Sequence, residues 1–184
     1  MPLDIGLGLV LGVILNHLTG LDYTLCLTIG VSSTLLPDLD YLWAAFSKKR
    51  LPHSEHRDGL HYPLVMVPAI GLLGWLVTPV IGLIFAVGTL LHFLHDSVGI
   101  GFGIKWLWPL TKKSYLFLFQ IKTPANAAMP KQRLYSWSDT ERNEMILKYA
   151  YPRWIEYVYL RLNPWGILEY SVLLAGILFA IMYR

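Results

Sequence analysis

Charge is what this sequence has least of. Only 15% of its 184 residues are Asp, Glu, Lys or Arg, against roughly 25% in soluble domains. Such a chain cannot clothe a water-facing surface, which excludes an ordinary soluble globule and points to lipid. Residues 63–91 contain no charged side chain at all. Cysteine is nearly absent. The single Cys26 excludes an internal disulfide and, inside an apolar run, reads as a small buried residue. No repeat or low-complexity tract interrupts the chain. A basic start is missing too: Asp4 stands where a secretory signal would carry Lys or Arg, so the first apolar run is expected to be retained as a span.

Apolar sequence takes the place of charge. Hydrophobic residues make up 55% of the chain, and mean hydropathy is +0.48. A spanning helix needs about 20 mostly apolar residues. Five segments approach this, at about 3–19, 22–36, 63–77, 80–98 and 165–183. The long run from Pro63 to Leu91 is divided at Val77-Thr78-Pro79, because proline disfavours helix at the residue before it. The expected class is an all-α polytopic integral membrane protein, one membrane domain over 1–184 with five short spans. Segments 38–62 and 99–163 then share one side, and they hold fourteen of the fifteen Lys and Arg residues. The positive-inside tendency puts them, and the N-terminus, in the cytoplasm. The formal charge of +3 is accordingly read as membrane orientation, with no direct nucleic-acid binding expected.

The segment 99–163 has structure of its own. Ser138-Asp139-Thr140-Glu141 has the spacing of a capping box, so a helix is expected over about 139–161, kinked at Pro152. Trp154, Tyr151, Tyr157 and Tyr159 among its basic residues suit the headgroup layer. A soluble cap, offering a surface to a protein partner, suits the pattern equally.

Metal-ligating residues gather in three clusters where apolar runs meet polar stretches: Pro37-Asp38-Leu39-Asp40, His56-Arg57-Asp58-Gly59-Leu60-His61 and His92-Phe93-Leu94-His95-Asp96. Asp oxygens and His nitrogens are the donors that Zn, Mn and Mg accept. His92 and Asp96 are four apart, on one face of a helix. Gly59 allows a turn that brings His56 and His61 inward. The expected ligands of one divalent centre are Asp38, Asp40, His56, His61, His92 and Asp96. Asp4 starts the first span on the same side and could reach this centre. His17, at the other end of that span, and His53 are expected to stand apart, and His95 lies on another flank of its helix.

At these residues the chain resembles the LexA-binding, inner-membrane-associated hydrolase family, also described as predicted membrane-bound metal-dependent hydrolases. The family's Pro-Asp-x-Asp, His-Arg-…-His, His-x-x-x-Asp and Trp-Pro motifs look like Pro37–Asp40, His56-Arg57 with His61, His92 with Asp96, and Trp108-Pro109. The resemblance covers about residues 1–120. Asp58, Leu60 and Tyr62 depart from the family's Gly, Thr and Ser, and Ile5 takes the place of an early His. The resemblance implies an inner-membrane, metal-dependent hydrolase.

Its chemistry would be hydrolysis by metal-acidified water, with Arg57 as the catalytic clamp on a phosphoryl or carboxyl group. Lys105, Lys112 and Lys113 would add positive potential. A site beside lipid suits an amphiphilic lipid or lipid-phosphate substrate. The alternative is a non-catalytic scaffold that uses a structural ion and presents 99–163 to a partner. Ion transport is disfavoured by the charge-free middle of 63–91.

Overall fold

The computed structural model describes residues 1–40, 59–99 and 101–184, so His53, His56 and Arg57 lie outside the described residues. The chain divides into two compact units: 1–39, 65–92 and 167–184 form the first, and 40–64 with 93–166 form the second.

The first unit is built of apolar helices: α1 (Pro2–Thr19), α2 (Tyr23–Leu35), α3 (Pro63–Trp75), α4 (Pro79–Asp96) and α7 (Pro164–Met182). Gly20 ends α1 in the left-handed conformation, φ 68, which glycine adopts without Cβ strain. Two residues later Asp22 caps α2, its Oδ1 accepting the Leu25 N–H at 2.8 Å. This tight connection folds α2 back along α1. Their backbones touch at small residues: a Cβ added to Gly30 would stand against the Gly8 carbonyl and Gly12. Close approach through glycine is how helices associate where lipid removes the hydrophobic drive. The same device joins α1 to α7, where Gly176 meets the Gly6 backbone. Thr78 caps α4, its hydroxyl accepting the Ile81 N–H. Leu11, Leu15, Cys26, Ile81 and Ile84 form the core.

Three of the five expected spans, α1, α4 and α7, have the length and hydropathy to cross a membrane. Eighteen residues of helix rise about 27 Å, close to the hydrocarbon thickness of about 30 Å. The other two expected spans, α2 and α3, have 13 residues each, which rise only about 20 Å. Leu83 and Leu90 on α4, and Leu174, Leu178 and Ile181 on α7, are exposed, as a lipid-facing surface requires.

The second unit corrects the all-α expectation. It holds a three-stranded sheet in the order β1-β2-β3, made of β1 (Val98–Gly99), β2 (Ser114–Gln120) and β3 (Leu134–Trp137). β1 runs parallel to β2, and β2 antiparallel to β3 with Leu116 opposite Tyr135. Alternate residues Ser114 and Leu116, and Tyr135 and Trp137, point inward and are buried. This period of two was hidden in the sequence by the aromatic content around it. The expected helix over 139–161 is also two helices, α5 (Asp139–Tyr149) and α6 (Trp154–Tyr159). The capping box at Ser138 and Glu141 is present in full. Ala150 leaves the helix in extended conformation, and Tyr151 precedes Pro152, where helix is disfavoured, so the proline breaks the segment rather than kinking it.

Candidate functional site

In the first unit a single imidazole stands between two carboxylates. Asp4 lies in the first turn of α1, where unpaired N–H groups and the helix dipole favour negative charge. It is 1% exposed. The Thr34 hydroxyl donates to its carbonyl at 2.9 Å, tying α2 to that turn. His92, one turn before the end of α4, is 2% exposed. Its Nδ1 lies 3.4 Å from Asp4 Oδ1 and its Nε2 lies 3.7 Å from Asp38 Oδ1. Asp38 reaches this place because Pro37 ends α2 in a short 3-10 turn, Leu36–Asp38.

Sequence reasoning missed one acid of this group. Glu169 on α7 is fully buried. Its Oε2 accepts the Leu3 N–H at 3.1 Å and lies 3.7 Å from the Met1 ammonium, which itself lies 2.8 Å from Asp4 Oδ2. The available signal was that Glu169 is the one acid inside the last apolar run, and ionisable residues in such runs mark function by default.

The second unit repeats the motif. His61 is fully buried, with Nδ1 3.1 Å from Asp40 Oδ2 and Nε2 3.2 Å from Asp96 Oδ2. Asp40 Oδ2 also accepts the Leu60 N–H at 3.0 Å, and the Phe93 ring meets the imidazole edge-on at 5.8 Å. Burial disfavours the imidazolium, but hydrogen bonds to Asp40 and Asp96 and their charges outweigh it, pushing His61 up to about 9. The Trp-Pro motif supports this loop. Trp108 stacks on Tyr62 at 4.5 Å, the Trp106 carbonyl accepts the Leu64 N–H, and Trp106 Nε1 donates to Ser97 Oγ at 2.6 Å.

The donor chemistry suits a divalent ion. The 3.7 Å between His92 Nε2 and Asp38 Oδ1 is too long for a good hydrogen bond. It is near the separation of about 3.3 Å between two ligands on one tetrahedral ion with bonds near 2 Å. Asp4, on the opposite ring nitrogen, occupies the place of the carboxylate that orients a ligating His.

The remaining candidates fall elsewhere. His17 is exposed in the last turn of α1. His95 stacks on Trp165 at 5.9 Å, a packing role. Lys105, expected to add positive potential, lies 2.8 Å from Asp139 and is largely neutralised there. Lys112 and Lys113 are exposed.

A family model described as YdjM inner membrane protein matches residues 4–182. No curated protein and no solved structure matches the chain.

Proposed function

The chain belongs to the YdjM inner membrane protein family, and from that premise we propose that it is a membrane-embedded, metal-dependent hydrolase. The observation that carries this reading is the repeated motif of a buried His held between two carboxylates, His92 with Asp4 and Asp38, and His61 with Asp40 and Asp96. Buried charged groups are expensive in so apolar a chain, and a ligand role explains their retention. The proposed ligand set is Asp38, Asp40, His56, His61, His92 and Asp96. Asp38 and Asp40 are one residue apart, and His92 and Asp96 one helical turn apart, so the chain itself ties the donors together.

A divalent ion held there would supply Lewis acidity and bring the pKa of a water down to about 7. The protein's own part is to hold the imidazoles. Asp4 fixes the His92 ring so that Nε2 faces Asp38, and Asp40 does the same for His61 through Nδ1. Arg57, next to His56 in sequence, is proposed to clamp the negative charge that develops on an amphiphilic lipid or lipid-phosphate substrate. Membrane orientation belongs to the same proposal: five crossings, with the N-terminus and the basic segments 38–62 and 99–163 in the cytoplasm.

The test is metal analysis of detergent-purified protein, followed by turnover on a panel of phospho- and acyl-lipids. Bound divalent metal that is lost in Asp40→Ala, together with hydrolysis that Arg57→Lys lowers about a hundredfold without metal loss, supports the reading. Metal-loaded protein inert on the whole panel overturns it. A scaffold with a structural ion is favoured by one observation: carboxylates face both nitrogens of each imidazole, and structural sites are closed shells.

A further inference from the structure

The burial pattern of β2 changes halfway along the strand. Ser114 and Leu116 are buried at alternate positions, as a half-buried strand requires. At Leu118 the alternation stops, and two successive large apolar side chains are exposed, Leu118 at 61% and Phe119 at 47%. Leu118 takes φ 66, a left-handed conformation that strains a leucine backbone. Its N–H donates to the Arg133 carbonyl at 2.6 Å. Beside this bend lies an open groove of about 430 Å³. Leu118, Phe119 and Met129 line it together with three cations, Lys122, Lys131 and Arg133, and the lining contains no acid. All three cations are exposed, and each stands on a pinned backbone. The Lys122 carbonyl accepts the Tyr157 hydroxyl at 3.0 Å. Lys131 lies between the Pro130 carbonyl, which accepts the Tyr135 hydroxyl at 2.8 Å, and the Gln132 N–H, which donates to that same hydroxyl oxygen at 3.0 Å. The Arg133 carbonyl is the one bound to Leu118. Residues 97–138 as a whole contain six Lys and Arg and no Asp or Glu.

We propose that this groove seats an anionic phospholipid, with the phosphate against Lys122, Lys131 and Arg133 and the start of the acyl chains against Leu118 and Phe119. Charge and polarity together select this occupant. Three cations in a lining without acids attract an anion, and the Arg133 fork matches a phosphate. Two adjacent exposed apolar side chains, one of them on a strained backbone, gain by covering with acyl chains. A free phosphate would leave both in water, and a nucleic acid would leave Leu118 there. The groove's volume falls within the roughly 300–1,000 Å³ of small-ligand sites. Position in the chain supplies the lipid: residues 97–163 run between α4 and α7, both long and apolar enough to cross a membrane. Anionic headgroups attract basic segments that adjoin a span. The inference goes beyond the hydrolase reading and stands without it, since no proposed metal ligand lines the groove.

Calorimetry on the full chain in a mild non-ionic detergent tests it, with EDTA throughout so that no metal contributes to the signal. The probes are dioctanoyl phosphatidylglycerol, dioctanoyl phosphatidylcholine, inorganic phosphate and oligothymidylate. Phosphatidylglycerol is expected to bind at least tenfold more tightly than the other three, and to weaken as salt rises. Lys122→Gln, Lys131→Gln and Arg133→Gln together are expected to bring it down to the phosphatidylcholine level. Leu118→Asn suits the left-handed backbone and removes the apolar side chain, so it keeps the fold and is expected to weaken phosphatidylglycerol about fivefold. Lys112→Gln with Lys113→Gln removes two exposed charges outside the groove and is expected to change its affinity less than twofold. Phosphatidylcholine equal to phosphatidylglycerol overturns the role of the cations. Inorganic phosphate equal to it overturns the lipid source, and oligothymidylate equal or tighter makes the groove a nucleic-acid contact instead. Affinity untouched by the triple change, or lowered as much by Lys112→Gln with Lys113→Gln, overturns the site, and affinity untouched by Leu118→Asn overturns the acyl contact.

Discussion

His92 and His61 share a plan and differ in its execution. In the first unit the contacts of His92 to Asp4 and Asp38 measure 3.4 and 3.7 Å. In the second, those of His61 to Asp40 and Asp96 measure 3.1 and 3.2 Å. The second pair lies within hydrogen-bond range and the first lies beyond it. His61 is braced: its carboxylates also hold the loop, through the Leu60 N–H on Asp40. At His92, Asp4 faces Nδ1, and Asp38 stands farther off at Nε2. The lesson is that the same triad of groups is drawn tight where a carboxylate also caps a backbone N–H, and is looser at His92.

The largest expected effects break this comparison directly. His61→Ala leaves two carboxylates facing a buried gap, and removing one partner of a buried pair costs about 3–5 kcal/mol. Chemical denaturation should show that loss together with loss of metal, whereas His92→Ala should lose the metal and keep most of the stability. Equal destabilisation by the two substitutions would erase the distinction. Next in size is Asp4→Asn, which keeps the shape beside His92 and removes the charge. Metal affinity by competitive titration should fall about 10- to 100-fold, as for other carboxylates that orient ligating imidazoles. Unchanged affinity would reduce Asp4 to an anchor for the start of α1.

Glu169 sharpens the comparison from the side of stability. Glu169→Gln retains an acceptor for the Leu3 N–H and should change metal affinity less than Asp4→Asn does. Glu169→Ala should cost about 1–3 kcal/mol, the usual penalty for leaving a buried backbone donor unsatisfied. The smallest effect concerns α5. Bonds from the Ser138 backbone and side chain hold the Glu141 carboxyl below its usual range. A lowered pKa stabilises the fold above the unfolded value and ceases to do so as pH falls through the folded one. Protection against hydrogen exchange in the first turn of α5, relative to the intrinsic rate at each pH, should therefore fall below about pH 4.5, and Glu141→Gln should flatten that dependence.

Much of the helical framework was legible in advance. The five expected segments coincide with α1, α2, α3, α4 and α7 to within a few residues, because long charge-free runs bounded by Gly20, Pro37, Pro63 and Pro79 leave the backbone few alternatives. Of the candidate ligands, Asp38, Asp40, His61, His92 and Asp96 are each placed beside an opposite-type donor, while His56 and Arg57 lie outside the described residues. The sheet was not legible. β2 and β3 are 7 and 4 residues long, and they lie in a stretch where aromatic and basic residues mimic an interfacial helix.

By itself the sequence determined that this is a membrane protein, where its apolar helices start and stop, and which side chains have metal-ligating chemistry. Those properties are local or compositional: hydropathy over about 20 residues, proline and glycine punctuation, and donor type. Only the tertiary structure decided which carboxylate faces which nitrogen. It recruited Glu169 from the far end of the chain to the start of α1 and set His95 against Trp165. Each depends on side chains distant in sequence meeting within a few ångströms, and that separation is set by packing, which no local pattern encodes.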